Sequence, residues 1–252
     1  MSRYGDGEFL WMLGWELNSY QKNSEKLQQA LIESVNYSGE DVITGVPKSL
    51  FDSSGCTLKH SMTWTVQRAR ILPGLMDVVD FRRKFVDTNF TRPWSDRLDE
   101  GYAERTFSQL KRIWEGRDVC MIEGGKTKLG MGNDLFSGAR SIRRIIGPAE
   151  NAFDRIDDIM ETVKGFVSKD MLLLLALGPA ASVLSVRLTS LGYQAVDLGH
   201  IDVDYMWFNL RSSERVNIPG KYVNEAGRIK MVQDSLYDSD TEYLNSIVCR
   251  IE

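Results

Sequence analysis

Met171-Leu172-Leu173-Leu174-Leu175-Ala176-Leu177 runs straight into Gly178-Pro179-Ala180-Ala181, and one helix length later comes Gly192-Tyr193-Gln194-Ala195-Val196-Asp197-Leu198. The first run is unbroken apolar sequence, too short for a core helix, which is how a strand buried on both faces reads. Pro179 sits where a first helical turn tolerates a missing N–H, Leu184, Leu188 and Leu191 continue one apolar face, and Gly192 supplies the stop. The stretch is therefore strand, turn, helix, turn, strand. That is the unit from which a parallel sheet with crossover helices is built.

Outward from it the same grammar repeats. Val119 to Ile122 and Ile142 to Ile146 read as further buried strands, each followed by Gly or Pro. Ala103, Phe107, Leu110 and Trp114 form one helical stripe, and Phe153, Ile156, Met160 and Val163 another. Towards the N-terminus, Ser24 to Val35 predicts a helix and Val42 to Val46 a strand ended by Pro47. Residues 56–100 read as helical pieces interrupted by Pro73 and Pro93, a cap or insertion beside the sheet whose Trp64, Phe81, Phe85, Phe90 and Trp94 belong to the core. The polar tail after Ser212, acidic from Asp238 to Glu242, is expected to wrap the domain. The expected fold class is α/β, Rossmann-like, a mostly parallel sheet with helices on both faces, in one domain spanning residues 1–252.

With 252 residues, 42% hydrophobic and 10% aromatic, the chain can build a sizeable core, and its net charge of −4 argues against a nucleic-acid partner. Arg140, Arg143 and Arg144 are expected to serve something smaller than a duplex. Cys56, Cys120 and Cys249 lack metal-ligand spacing and suit a reducing compartment, Cys120 as a buried thiol. No apolar run reaches the roughly 20 residues of a membrane span, and no signal peptide opens the chain, so a cytoplasmic location is expected.

In open parallel sheets, ligands bind beyond the carboxyl ends of the strands. After the first strand comes Glu123-Gly124-Gly125-Lys126-Thr127-Lys128-Leu129-Gly130-Met131-Gly132-Asn133-Asp134, expected to lead into a helix near Leu135. Its amides suit phosphate, although it is neither a Walker loop nor a dinucleotide fingerprint, and a plain surface loop has the same composition. Gly147-Pro148-Ala149-Glu150-Asn151 and Gly178-Pro179 put small residues at two more helix starts. In Asp197-Leu198-Gly199-His200-Ile201-Asp202-Val203-Asp204-Tyr205, strand alternation would set His200, Asp202 and Asp204 on one side. His60 has no such company and reads as structural.

The chain opens with Arg3-Tyr4-Gly5-Asp6-Gly7-Glu8. Two carboxylates two residues apart offer hard oxygen donors for Mg²⁺ or Mn²⁺, with glycines permitting a tight turn around a ligand; an ordinary Asp-Gly turn is the competing reading. So near residue 1, the motif also leads one to expect further sequence upstream.

Together these pieces, with Thr91-Arg92-Pro93-Trp94, Ile113 to Asp118, Ser141 to Pro148, Asn151-Ala152-Phe153 and Gly220 to Ala226, resemble the GT-D fold glycosyltransferases over nearly the whole chain. The resemblance implies metal-dependent transfer of a hexose, typically glucose from UDP-glucose, to a glycan on a bacterial surface glycoprotein or polysaccharide. It maps the family's Asp-x-Glu metal motif onto Asp6 and Glu8, which would hold Mn²⁺ or Mg²⁺ against the pyrophosphate. Glu123, Lys128, Gly132, Asn133, Asp134, Asn151, Gly178 and Pro179 would help cradle UDP. Arg3, Arg92 and Lys221 would contact phosphate or sugar, and His200, Asp202 and Asp204 would orient sugar or acceptor. Asp204 stands where the family carries Glu, and Met206 where another acid is common. Asp202-Val203-Asp204 itself has the form of a sugar-transferase metal motif, so the sequence leaves the cation's place open between two pairs. The same residues would also serve a metal-dependent phosphoesterase or a nucleotide-sugar-binding module without turnover.

Overall fold

In the computed structural model, residues 1–17, 19–223 and 236–252 are described. The elements in chain order are β1 (Ser2–Arg3), α1 (Asp6–Met12), α2 (Glu25–Val35), β2 (Thr44–Val46), α3 (Leu58–Val78), β3 (Val86–Asp87), α4 (Glu100–Trp114), β4 (Asp118–Gly124), β5 (Ser141–Gly147), α5 (Ile156–Phe166), β6 (Leu172–Ala176), α6 (Pro179–Ser190), β7 (Gln194–Asp197), α7 (Ile201–Asn209), α8 (Thr241–Ser246) and β8 (Ile247–Arg250). They form an all-parallel five-stranded sheet, in the order β7-β6-β4-β5-β8, and a parallel three-stranded sheet, β1-β2-β3.

Why the central strands are continuous apolar runs is plain from their two faces. Cys120, Ile122, Leu173 and Leu175 pack into a core shared with α1, α2, α3, α5 and α6. Val119, Met121, Leu172 and Leu174 point the other way, against α4 and α7. With no face left for water, period-two alternation disappears from the sequence.

The two sheets meet where β1 lies beside β7. The Asp197 amide donates to the Met1 carbonyl at 3.0 Å and the terminal amino group donates to the Ala195 carbonyl at 2.5 Å. Ser182 on α6 ties the joint down, its hydroxyl donating to the Arg3 carbonyl at 2.6 Å.

Several expectations are corrected. Pro73 does not break α3, which runs unbroken for 21 residues. Pro73 and Ala69, whose carbonyl loses its usual partner, both lie on the solvent side, where water can satisfy it. The chain near Leu135 makes turns rather than a helix, pinned by the Asn133 side chain accepting from the Leu135 amide at 3.0 Å and by the Trp114 indole donating to the Leu135 carbonyl at 2.8 Å. Residues 201–205 are helix, not strand, because Gly199 turns the chain through a positive φ of 52° and His200 becomes the N-cap of α7. The tail does more than wrap the domain: α8 leads into β8, which extends the main sheet beyond β5. Arg140 and Arg144 are engaged within the chain, by Asp118 and Glu123.

Candidate functional site

All seven strands from β1 to β7 point their carboxyl ends at one cleft of about 920 Å³. In the main sheet, β4 connects towards β5 while its neighbour β6 connects towards β7, so the crevice opens where the winding reverses. Gly124, Lys126 and Thr127 line it from β4, Pro148, Ala149 and Asn151 from β5, Leu177 and Gly178 from β6, and Gly199, His200 and Asp202 from β7. Arg3 to Glu8, Thr88, Asn89 and Arg92 line it from the smaller sheet.

Asp6 and Glu8 occupy the first turn of α1, not a glycine turn: Gly5 is extended at φ −122°, and neither glycine takes a positive φ. Acids belong there, beside unpaired amides and the positive end of the helix. Glu8 folds back to accept from the Gly5 amide at 2.8 Å, and burial, with the charges of Asp197 and Asp6 nearby, raises its pKa. Asp6 is exposed and accepts from Gln67 Nε2 at 3.3 Å.

Arg3 is the cation of this corner. Its guanidinium donates from Nε and Nη2 to the Thr88 carbonyl at 3.2 and 3.1 Å and lies 3.8 Å from Asp197. Desolvation lowers its pKa, as does Arg92; Asp197, Glu8 and Asp87 oppose that. Asp197 ends β7 and also accepts from the Gly199 amide at 3.0 Å, yet burial outweighs these partners and raises its pKa. Arg92 Nη2 sits 2.9 Å from His200 Nδ1, linking the two sheets a second time.

The expected trio at residues 200–204 is split by its helical geometry. His200 and Asp202 line the cleft; Asp204 points away and accepts from the Trp94 amide at 2.9 Å and from the Ser95 hydroxyl and amide. Burial lifts its pKa to about 6. Asp202 binds the glycine-rich loop, accepting from the Gly130 amide at 3.1 Å and Asn133 Nδ2 at 2.8 Å, and forms a buried ion pair with Lys221. The two carboxylates therefore do not form a metal pair, and Lys221 is held by Asp202 behind the cleft wall. The Asp-x-Asp form misleads because each carboxylate is already claimed by a different part of the chain, Asp204 by residues 94 and 95 and Asp202 by the glycine-rich loop and Lys221.

The glycine-rich loop is braced from behind. Glu123 is fully buried, accepting from the Leu129 amide at 2.5 Å and Arg144 Nη1 at 2.6 Å, and burial raises its pKa despite Arg144. Lys128 pairs with Asp238 at 2.8 Å and lies over the Tyr243 ring. A side chain on Gly132 would strike Tyr237, and Asp134 accepts from Lys111 and Tyr205 on the outer surface. Glu123, Lys128, Gly132, Asn133 and Asp134 thus lie outside the cleft lining and shape the loop, while Lys126, Thr127 and Leu129 face the cleft. Asn151 takes the left-handed conformation at φ 55°, where Asn is tolerated, and accepts from the Lys22 amide at 2.9 Å. Gly178 is also left-handed in φ, at 56°, with Tyr20 where a Cβ would be; Pro179 is buried in the first turn of α6. In the motif from Gly220 to Ala226, residues 224–226 lie outside the described residues.

Asp197 and Gly199 stand in the stretch from Asp197 to Tyr205, but no role of their own is expected for them from the sequence. The available signal was an acid on the last residue of an apolar strand, followed within two residues by Gly. His60, with Nε2 2.7 Å from Ser49 Oγ and Nδ1 3.2 Å from Asp96, is buried and satisfied, and with Trp64 and Asp96 it walls the far end of the cleft. Among the described residues, no three His, Cys, Asp or Glu side chains gather as a metal site, and no helix is long and apolar enough to cross a membrane.

Comparison with known proteins gives a consistent result. "Glycosyltransferase GlyD" of Streptococcus pneumoniae serotype 4 is 33% identical over 257 residues, covering 99% of this chain and 30% of that protein. "Probable glycosyl transferase Gly" of Streptococcus gordonii is 32% identical, covering 99% of this chain and 36% of that protein. The chain thus spans about a third of the length of these relatives. Two solved structures superimpose over its full length. One, described as "The highly conserved domain of unknown function 1792 has a distinct glycosyltransferase fold", has a TM-score of 0.92 at 32% identity with 89% of that chain covered. The other, "A New Glycosyltransferase (DUF1792) from Streptococcus sanguinis", has a TM-score of 0.91 at 30% identity with 92% covered. A family model for the glycosyltransferase GT-D fold matches residues 1–226, and the chain belongs to the GT-D fold glycosyltransferase family.

Proposed function

We propose that the chain transfers a hexose, glucose in the first instance, from a UDP-sugar to a glycan acceptor on a surface glycoprotein or polysaccharide, with Mn²⁺ or Mg²⁺ bound at Asp6 and Glu8. The observation that carries the reading is the meeting, at one cleft, of the strand-end loops, the α6 N-terminus and the Arg3, Arg92, Asp6, Glu8 and Asp197 charge cluster.

The donor set fits a hard cation: carboxylate oxygens, two side chains from one helix turn, and room for phosphate. Mg²⁺ commonly takes only one or two carboxylates and completes its shell with substrate phosphate and water, so a cage of three acids is not required. When bound, such an ion neutralises charge developing on the departing diphosphate.

The chain's own residues divide the remaining work. The N-terminus of α6, opening at Gly178 on the cleft, offers the positive end of its dipole to anionic oxygens. Arg3 and Arg92 supply fixed positive charge in a partly desolvated site, where it acts more strongly on a leaving diphosphate than it would in water. His200, held by Arg92, and Asp202, held by the glycine-rich loop, orient sugar or acceptor hydroxyls at the cleft wall.

Thermal unfolding with a panel of nucleotide sugars, with and without Mn²⁺, tests the reading. The expected result is stabilisation by UDP-glucose that requires the ion; no response to any uridine ligand overturns it.

A further inference from the structure

An apolar stripe runs the length of the solvent face of α3, flanked by exposed Lys59, Thr63, Thr65, Arg70 and Asp77. Leu58, Met62, Val66 and Met76 keep 75%, 62%, 61% and 60% of their surface exposed, and Ala69 and Pro73 between them are exposed too. From Met62 the steps are four, three, four and three residues, which is the a/d spacing of a helix–helix seam. Leu98, 66% exposed, extends the patch at its start, its amide bonded to the Gly55 carbonyl at 3.1 Å. The opposite face already packs inward through His60, Trp64, Ile71 and Leu75. A polar face would be expected towards water on a helix so placed.

We infer that this face of α3 is the interface of a homodimer, in which the α3 helices of two copies pack antiparallel about a two-fold axis at Ala69. The stripe is its own complement, as a closed two-fold contact demands. Met62 and Met76 each stand seven residues from Ala69, so each meets the other's counterpart. Val66 meets Pro73, and the smallest side chain lies on the axis, where backbones come closest. The charges agree with this direction: Lys59 lies near one end of the stripe and Asp77 near the other, so antiparallel pairing sets unlike charges together at both ends. Arg70, near the axis, is drawn aside over the Trp15 ring at 4.9 Å. Since Lys59 and Thr63 of the same helix line the cleft, a partner on α3 borders its rim.

Sedimentation velocity of the 252-residue chain from 1 to 100 μM, with and without anionic phosphatidylglycerol vesicles, tests the inference. The expected result is a concentration-dependent dimer that Ala69→Arg converts to monomer without changing the circular dichroism spectrum. Oxidation should cross-link Ala69→Cys chains in a Cys249→Ser background more readily than Met62→Cys chains in the same background. Overturning results are a monomer throughout the range, a dimer unaffected by Ala69→Arg, preferential cross-linking at Met62→Cys, or a monomer that sediments with the vesicles.

Discussion

Arg3, at the carboxyl end of the first strand, lies 3.8 Å from Asp197, at the carboxyl end of the seventh, and so joins two sheets at the floor of the cleft. Both side chains are nearly buried, 11% and 5% exposed. Removing one partner strands the other's charge without water, which typically costs about 3–5 kcal/mol. Arg3→Ala should therefore lower the free energy of urea unfolding by about that amount, and Asp197→Asn introduced with it should recover part of the loss. Additive effects of the two changes would show that the pair is not coupled.

Gly199 makes the same joint possible. Its φ of 52° disfavours any Cβ, costing about 1–2 kcal/mol, and a Cβ there would collide with the Arg3 guanidinium. Gly199→Ala should destabilise the fold and weaken nucleotide-sugar binding together, measured by thermal unfolding and calorimetric titration.

The Asp202–Lys221 pair should behave as a brace. With side-chain exposures of 4% and 0%, it permits no solvent compensation. Lys221→Met alone should destabilise by about 3–5 kcal/mol, while Asp202→Asn with Lys221→Met should recover most of that loss. A double-mutant cycle of unfolding free energies measures the coupling.

Asp204 carries a pH signature. Its folded value of about 6 lies above the ordinary 3.8, because burial disfavours the carboxylate more than Ser95 and Trp94 support it. The resulting stabilisation is fully present below about pH 4 and is lost as pH rises through about 6. At 1.36 kcal/mol per pH unit it amounts to about 3 kcal/mol. Relative to Asp204→Asn, the unmodified chain should lose stability by roughly that amount between pH 4 and pH 7; a difference that does not vary with pH would contradict the assignment.

What the sequence reveals depends on burial. Strands β4 to β7 are legible because helices cover both faces, leaving runs such as Leu172 to Ala176. Strands β1 and β3, two residues each, and the edge strand β8 carry no such run, and only pairing defines them. At Asp6 to Glu8, the same acids and glycines serve a turn or a helix start, and the neighbouring strand end decides which. At His200 to Asp204, apolar and polar residues alternate over too few positions to separate strand from helix; the φ of Gly199 settles it. Lys221 and Asp202 are far apart in sequence, and nothing local announces that they cancel each other's charge.

Release of UDP from UDP-glucose by the purified chain, followed with Mn²⁺ and again in EDTA, tests the central claim most directly. The account predicts ion-dependent release that rises on addition of a glycan acceptor and falls at least tenfold in Asp6→Ala with Glu8→Ala, while the fold survives because Asp6 is exposed and Glu8 bonds only a cap amide. Release that is absent, indifferent to EDTA or unchanged in the double variant would contradict it.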